Sequence, residues 1–171
     1  MEEFTNETID TTQLPKFEEV AFTVLHPNYW KVTLIMLTVF FLVVGIGVGF
    51  IVYFNEEFYF SILELSIVYV VFILLVLFFS RISFKKKGFA FRTHDVLYRQ
   101  GIIATNTLVI PYNRVQHVAL HEGFISRFFG LAKIEIFTAG GNSSDIEIPG
   151  IAKEQAENIK QLLMGKIQKH L

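Results

Sequence analysis

One carboxylate, Glu64, lies in the run from Phe58 to Ser80, which holds no other charge. An acid at mid-bilayer costs about 2.5–3.5 kcal/mol and usually marks an ion or proton path. Six residues at about 1.5 Å each place Glu64 only about 9 Å from the start of the run, where protonation, a local bond or water also satisfies it. The bland reading is a structural acid; the functional one is a transport-accessory role. A second group, Arg81, Lys85, Lys86 and Lys87, follows the same run. Near an anionic surface each such charge adds about 1 kcal/mol of attraction, although fixing topology is role enough for them. His117 and His121 are four apart, with Glu122 beside them and His94 upstream. On a strand that spacing separates two side chains by more than about 10 Å, and no helical HExxH frame is present, so no metal and no cofactor is expected. The chain has no cysteine, which removes thiolate chemistry and disulfides. It also lacks a nucleophile elbow, a phosphate loop and paired carboxylates. The expectation is a protein that is not an enzyme. Basic and aromatic residues do not interleave on one face, so nucleic acid is not an expected partner.

The elements that hold these groups divide sharply. Residues 30–54 carry no charge beyond Lys31 and include sixteen Leu, Ile, Val or Phe, and 58–80 are as apolar. About 20 such residues span a bilayer. A cleaved signal peptide is disfavoured because the preceding residues, 1–29, hold six acids against the single Lys16, where such a peptide needs positive charge. Neither stretch has a polar face, which argues against a buried core pair. Only Asn55, Glu56 and Glu57 intervene, so the spans form a tight antiparallel hairpin. Positive charge beside the outer ends and negative charge in the turn predict both termini on the cytoplasmic side. Gly45, Gly47 and Gly49 permit close helix approach.

Beyond residue 87 the pattern changes to short alternating runs. Strands are predicted over 89–93, 96–103, 108–111, 115–120, 133–137 and 145–148, with Gly140-Gly-Asn-Ser-Ser144 as a hairpin turn. Phe124 to Phe129, closed by Gly130, reads as a helical turn. From Ala152 onward, Ala156, Ile159, Leu163 and Ile167 keep helical spacing. Acids sit early in that helix and Lys166, Lys169 and His170 late, as the helix dipole favours. A small antiparallel β domain closed by one amphipathic helix follows.

The run Ile110-Pro-Tyr-Asn-Arg-Val-Gln-His-Val118, then Phe128-Phe-Gly-Leu-Ala132, Thr138-Ala-Gly-Gly141 and Pro149-Gly-Ile151, resembles the bacterial pleckstrin-homology-like domain of the YdbS-like membrane proteins. The paired N-terminal spans are similar too, and the likeness covers roughly residues 20–165. It implies a membrane-anchored α+β protein: a two-helix transmembrane hairpin, then a small antiparallel PH-like β-barrel or pair of orthogonal sheets with a C-terminal capping helix. It implies structural roles for the motif residues Pro111, Arg114, Gln116, Gly130, Gly140 and Gly141. Eukaryotic lipid-binding relatives cluster Lys and Arg around the first hairpin. Here that stretch offers only Arg92, His94 and Arg99 with Asp95 among them, so no specific phosphoinositide ligand is expected.

The expected organisation is an acidic N-terminal cytoplasmic segment (1–29), the hairpin (30–80, spans 30–54 and 58–80), a basic linker (81–87) and the PH-like cytoplasmic domain (88–171). The expected setting is the bacterial inner membrane. The expected function is an interaction or scaffold module at the cytoplasmic leaflet, binding a protein partner or copies of itself, with envelope stress or defence as the process. An anionic-lipid sensor is the alternative.

Overall fold

A computed structural model of the chain describes residues 8, 10, 19–55, 61–139 and 146–168. The first long helix, α1, runs Pro27–Phe54. Proline at its start costs no intrahelical bond, and the His26 Nδ1 accepts from the Asn28 amide at 3.2 Å as a cap. The second, α2, runs Ile62–Lys86. Both are long and apolar enough to cross a membrane. They pack antiparallel: Trp30 lies against Phe84, and Phe41 against Tyr69 and Phe72. The Tyr69 hydroxyl donates to the Phe41 carbonyl. Gly45 makes room for Tyr69, since a Cβ there would lie 3.1 Å from its hydroxyl, whereas one at Gly47 or Gly49 would meet nothing within 4 Å. Of the three glycines, then, Gly45 is the one whose small size serves the pairing within this chain. The connecting residues Glu56 and Glu57 lie outside the described residues. The segment read as a basic linker is helical as far as Lys86, because lysine and arginine are good helix formers and a change of composition does not end a helix.

Among the described residues seven strands build the rest: β1 (Thr23–Val24), β2 (Gly88–Phe91), β3 (Asp95–Gln100), β4 (Asn106–Pro111), β5 (Val115–His121), β6 (Leu131–Thr138) and β7 (Ile146–Ala152). All pairings are antiparallel, in one sheet ordered β1-β2-β3-β4 and another ordered β5-β6-β7. The short helix α3 (Phe124–Phe128) joins β5 to β6, and α4 (Lys153–Gln168) closes the fold. One core receives Phe89, Val96, Tyr98 and Ile110 from the first sheet, Val118, Ile134, Ile136, Ile146 and Ile148 from the second, and Ala156 and Leu163 from α4. Ile159 and Ile167 pack at its margin. This is the stripe the helical spacing predicts.

Two features differ from the sequence expectation. Residues 23–24, within the stretch read as an acidic N-terminal segment, pair with β2 through Thr23↔Phe89 and Val24↔Gly88. The strand expected over 96–103 stops at Gln100, because Gly101 turns with φ +140°, a conformation in which a Cβ would sit 1.9 Å from the Ala104 carbonyl oxygen. The turn at Gly140 and Gly141 lies outside the described residues, although β6 and β7 pair on either side of it.

Antiparallel order gives the domain two poles. Near the helical hairpin lie the start of β2, the β3–β4 turn, α3 and the β7–α4 junction. There the His26 amide donates to the Gly150 carbonyl at 2.9 Å, the Lys153 amide donates to the Gly130 carbonyl at 2.9 Å, and the Lys86 Nζ donates to the Ile102 carbonyl. At the opposite pole lie the β2–β3 turn, the Tyr112–Arg114 3-10 turn after β4, the end of β6 and the last turn of α4.

Candidate functional site

The hairpin-distal pole gathers Pro111, Arg114 and Gln116 of the family-like motif. Pro111 ends β4 and precedes the 3-10 turn Tyr112–Arg114, which leads into β5. Proline's fixed φ suits that exit from the sheet. Tyr112 is buried; its hydroxyl donates to the Arg92 carbonyl at 2.7 Å, and its amide donates to the His94 carbonyl at 3.0 Å. Burial, with the Asp95 carboxylate nearby, pushes the Tyr112 phenol up to about 12. The Lys166 Nζ sits 5.8 Å from the Tyr112 ring centroid and donates to the Thr93 carbonyl at 3.1 Å, fastening the end of α4 to this pole. Between these elements opens a cleft of about 430 Å³, lined by Tyr112, Asn113, Arg114, Val115, Gln116, Ala139 and Ile167. The Ala139 amide donates to the Arg114 carbonyl at 3.2 Å, so the backbone of Arg114 is pinned while its side chain is exposed.

β4 borders this cleft. Among the described residues it pairs with β3 alone, and Leu108 and Val109 are 39% and 40% exposed. The strand therefore offers one edge of backbone amides and carbonyls flanked by apolar side chains, the geometry a further strand can extend. By contrast, α4 packs across β5, β6 and β7.

Other sequence candidates are spread through the molecule. Arg92 forms a double bond pattern with Asp95, its Nε donating to Oδ1 at 2.6 Å and a terminal nitrogen donating to Oδ2. Arg99 stacks over Phe22 at 4.2 Å. The two guanidiniums thus already have partners. His117 stacks on Phe137 with centroids 4.2 Å apart, and Glu122 pairs with Lys153 at 2.8 Å. No group of three or more potential metal-ligating side chains occurs among the described residues. Arg81 lies 4.8 Å from the Trp30 ring centroid and 5.5 Å from that of Phe84, a cation over aromatics where the two long helices meet the domain. Lys85 and Lys86 occupy the last turn of α2, and Lys87 follows as its C-cap. Burial holds the Lys87 ammonium below its ordinary range. Glu64 is exposed in the first turn of α2 and does not line the gap around Gly45, Gly49, Ser66 and Tyr69. Gly130 closes α3 at the other pole, away from Pro111, Arg114 and Gln116. Tyr112, Lys166 and Ile167 were not candidates in the sequence. A buried aromatic after Pro111 was the available signal for the first, whereas the other two are brought in by the fold alone.

Two antiparallel sheets closed by a C-terminal helix, carried on two apolar helices, define a membrane-associated pleckstrin-homology-like protein. The chain belongs to the bacterial PH domain family, whose model matches residues 11–167. It is similar to the UPF0699 transmembrane protein YdbT of Bacillus subtilis (strain 168), with 31% identity over 85 residues, 48% of this chain. The chain spans 17% of the length of that relative. No solved structure matches.

Proposed function

We propose that this chain is a membrane-anchored interaction module without catalytic activity, which holds its PH-like domain at the cytoplasmic leaflet of a bacterial inner membrane and docks a protein partner or a second copy along β4. Both helices cross the bilayer in this reading and both termini are cytoplasmic. Lys31, Arg81, Lys85 and Lys86 at the domain end of the hairpin support that orientation. The observation that carries the reading is the single-sided pairing of β4, with Leu108 and Val109 exposed beside the distal cleft. Main-chain bonds along such an edge supply affinity, and pockets at its end supply selectivity. The partners already held by Arg92 and Arg99 speak against a phosphoinositide cradle, and the place of Glu64 off the interhelical gap lends no weight to transport.

The test is a photo-crosslinking side chain at Asn106 in the full chain, activated in intact membranes. A discrete adduct, either a dimer or one reproducible heterologous protein, is expected, and it should vanish in Val109→Lys, because a charge on an edge strand opposes strand addition. A monomer without adducts, or an adduct indifferent to Val109→Lys, would overturn the proposal.

A further inference from the structure

The hairpin-proximal pole carries apolar side chains that the core does not use. Phe124 and Phe128 are 81% and 76% exposed, although they form an edge-to-face pair with centroids 5.3 Å apart. Four residues apart on α3, they project from one face. Ile103, in the β3–β4 turn, is 92% exposed. Large apolar groups clustered in solvent mark an interaction surface. Here their position identifies what covers them. α3 packs beside α1, and the β3–β4 turn is bonded to the end of α2 through Lys86 and the Ile102 carbonyl. Both protrusions therefore flank the place where the two long apolar helices meet the domain. Trp30 lies there too, under Arg81, and tryptophan favours the bilayer interface. Exposed Arg127 on α3 and exposed Lys31 on α1 add cations at the same end, as anionic headgroups would favour.

We infer that Phe124, Phe128 and Ile103 enter the same leaflet in which α1 begins and α2 ends, so that the PH-like domain rests on the bilayer through its own apolar wedge as well as through its tether. An amphipathic element of this kind sinks about 5–10 Å into the boundary between headgroups and acyl chains. Seating the proximal pole in lipid turns the Pro111 end of β4 and the distal cleft toward the cytoplasm. The inference rests on the membrane reading of the helices and is independent of what β4 binds.

The absence of native cysteine permits single-site labelling of the full chain. Ile103→Cys, Phe124→Cys and Phe128→Cys, each carrying a fluorophore, would be reconstituted in phospholipid vesicles whose acyl chains bear a quencher near the headgroup. Val44→Cys, within α1, reports insertion of the hairpin, and Thr93→Cys, at the distal pole, reports the aqueous side. A β5-length strand separates the two poles by about 20 Å. Quenching at 103, 124 and 128 but not at 93 is the expected result. Quenching at 44 alone would overturn the wedge while leaving the spans intact, whereas no quenching at 44 would overturn the spans, and the wedge with them. Shielding of 124 and 128 from an aqueous quencher without lipid quenching would assign the patch to a protein and also overturn the inference. The unsubstituted chain gives a second measurement, in which photoactivatable phospholipid should label the segments 101–104 and 122–129. Labelling confined to the long helices would count against the wedge.

Discussion

Gly150 and Gly165 show how one substitution takes opposite signs at two positions. Gly150 adopts φ +66°, its carbonyl accepts from the His26 amide, and a Cβ there would lie 2.4 Å from the Tyr29 Cγ. A non-glycine residue in that conformation costs about 1–3 kcal/mol, and displacing Tyr29 adds to it, because the ring lies between α1 and the β7–α4 junction. Gly165 is in the interior of α4, where a Cβ would meet nothing within 4 Å, and alanine gains about 0.5–1 kcal/mol over glycine in a helix. In detergent, Gly150→Ala should lower the thermal midpoint of the domain and Gly165→Ala should raise it slightly. Equal responses would mean that the contact with Tyr29 does not join domain to hairpin. The same contrast bears on Arg92 and Arg99. The sequence placed them on neighbouring strands as a weak phosphate cradle, and the Asp95 partner of Arg92 was within reach of local reasoning. The Phe22 partner of Arg99 comes from a distant part of the chain, which no spacing rule reports.

Among the elements, α4 carries the clearest energetic prediction. Leu163 is fully buried against the sheets, while Met164, its neighbour, is exposed. Leu163→Ala should cost about 2–5 kcal/mol and free the end of α4 from Thr93 and Tyr112, whereas Met164→Ala should stay within about 0.5 kcal/mol of the parent. Denaturant titration of the two variants checks this, and equal midpoints would contradict the packing of α4 on the sheets. This helix was legible in the sequence because four apolar residues at 3.6-residue spacing leave little choice of face. The two long apolar helices and α3 were legible for similar reasons of run length and closing glycine. β1 was not, since two residues cannot display a period and their strand character comes only from pairing with β2. The apolar run over 58–80 does not reveal where α2 ends, because a change from apolar to basic residues does not stop a helix, and α2 continues to Lys86. As for the candidate site, Pro111, Arg114 and Gln116 were visible as a motif. The meeting of Arg114 and Gln116 with Ile167, and of Tyr112 with Lys166, depends on how α4 crosses the second sheet.

At the scale of the whole molecule, two parts held by different physics should separate under alkali. The β domain buries Tyr98 and Tyr112, whose phenols burial raises to about 12, against about 10 in an unfolded chain. Below pH about 10 both phenols are neutral folded or unfolded, and their contribution to stability is complete. Between about 10 and 12 the unfolded chain ionises first, so each tyrosine removes about 1.4 kcal/mol of stability per pH unit. That contribution is gone once the pH passes about 12. The membrane hold of α1 and α2 comes from apolar side chains that do not titrate. Raising the pH of native membranes from about 10 to 12 should therefore abolish the near-ultraviolet dichroism of the domain while the chain stays in the membrane pellet. Tyr112→Phe removes one of the two phenols and the bond its hydroxyl donates to the Arg92 carbonyl, at a cost of about 0.5–1.5 kcal/mol. The variant should start less stable at neutral pH yet lose stability less steeply above pH 10 than the parent, since one of the two phenols raised to about 12 is gone. Release of the chain into the supernatant before the domain unfolds would mean that the helices are held by the domain and not by lipid. An unchanged slope in Tyr112→Phe would move the alkaline sensitivity to another group.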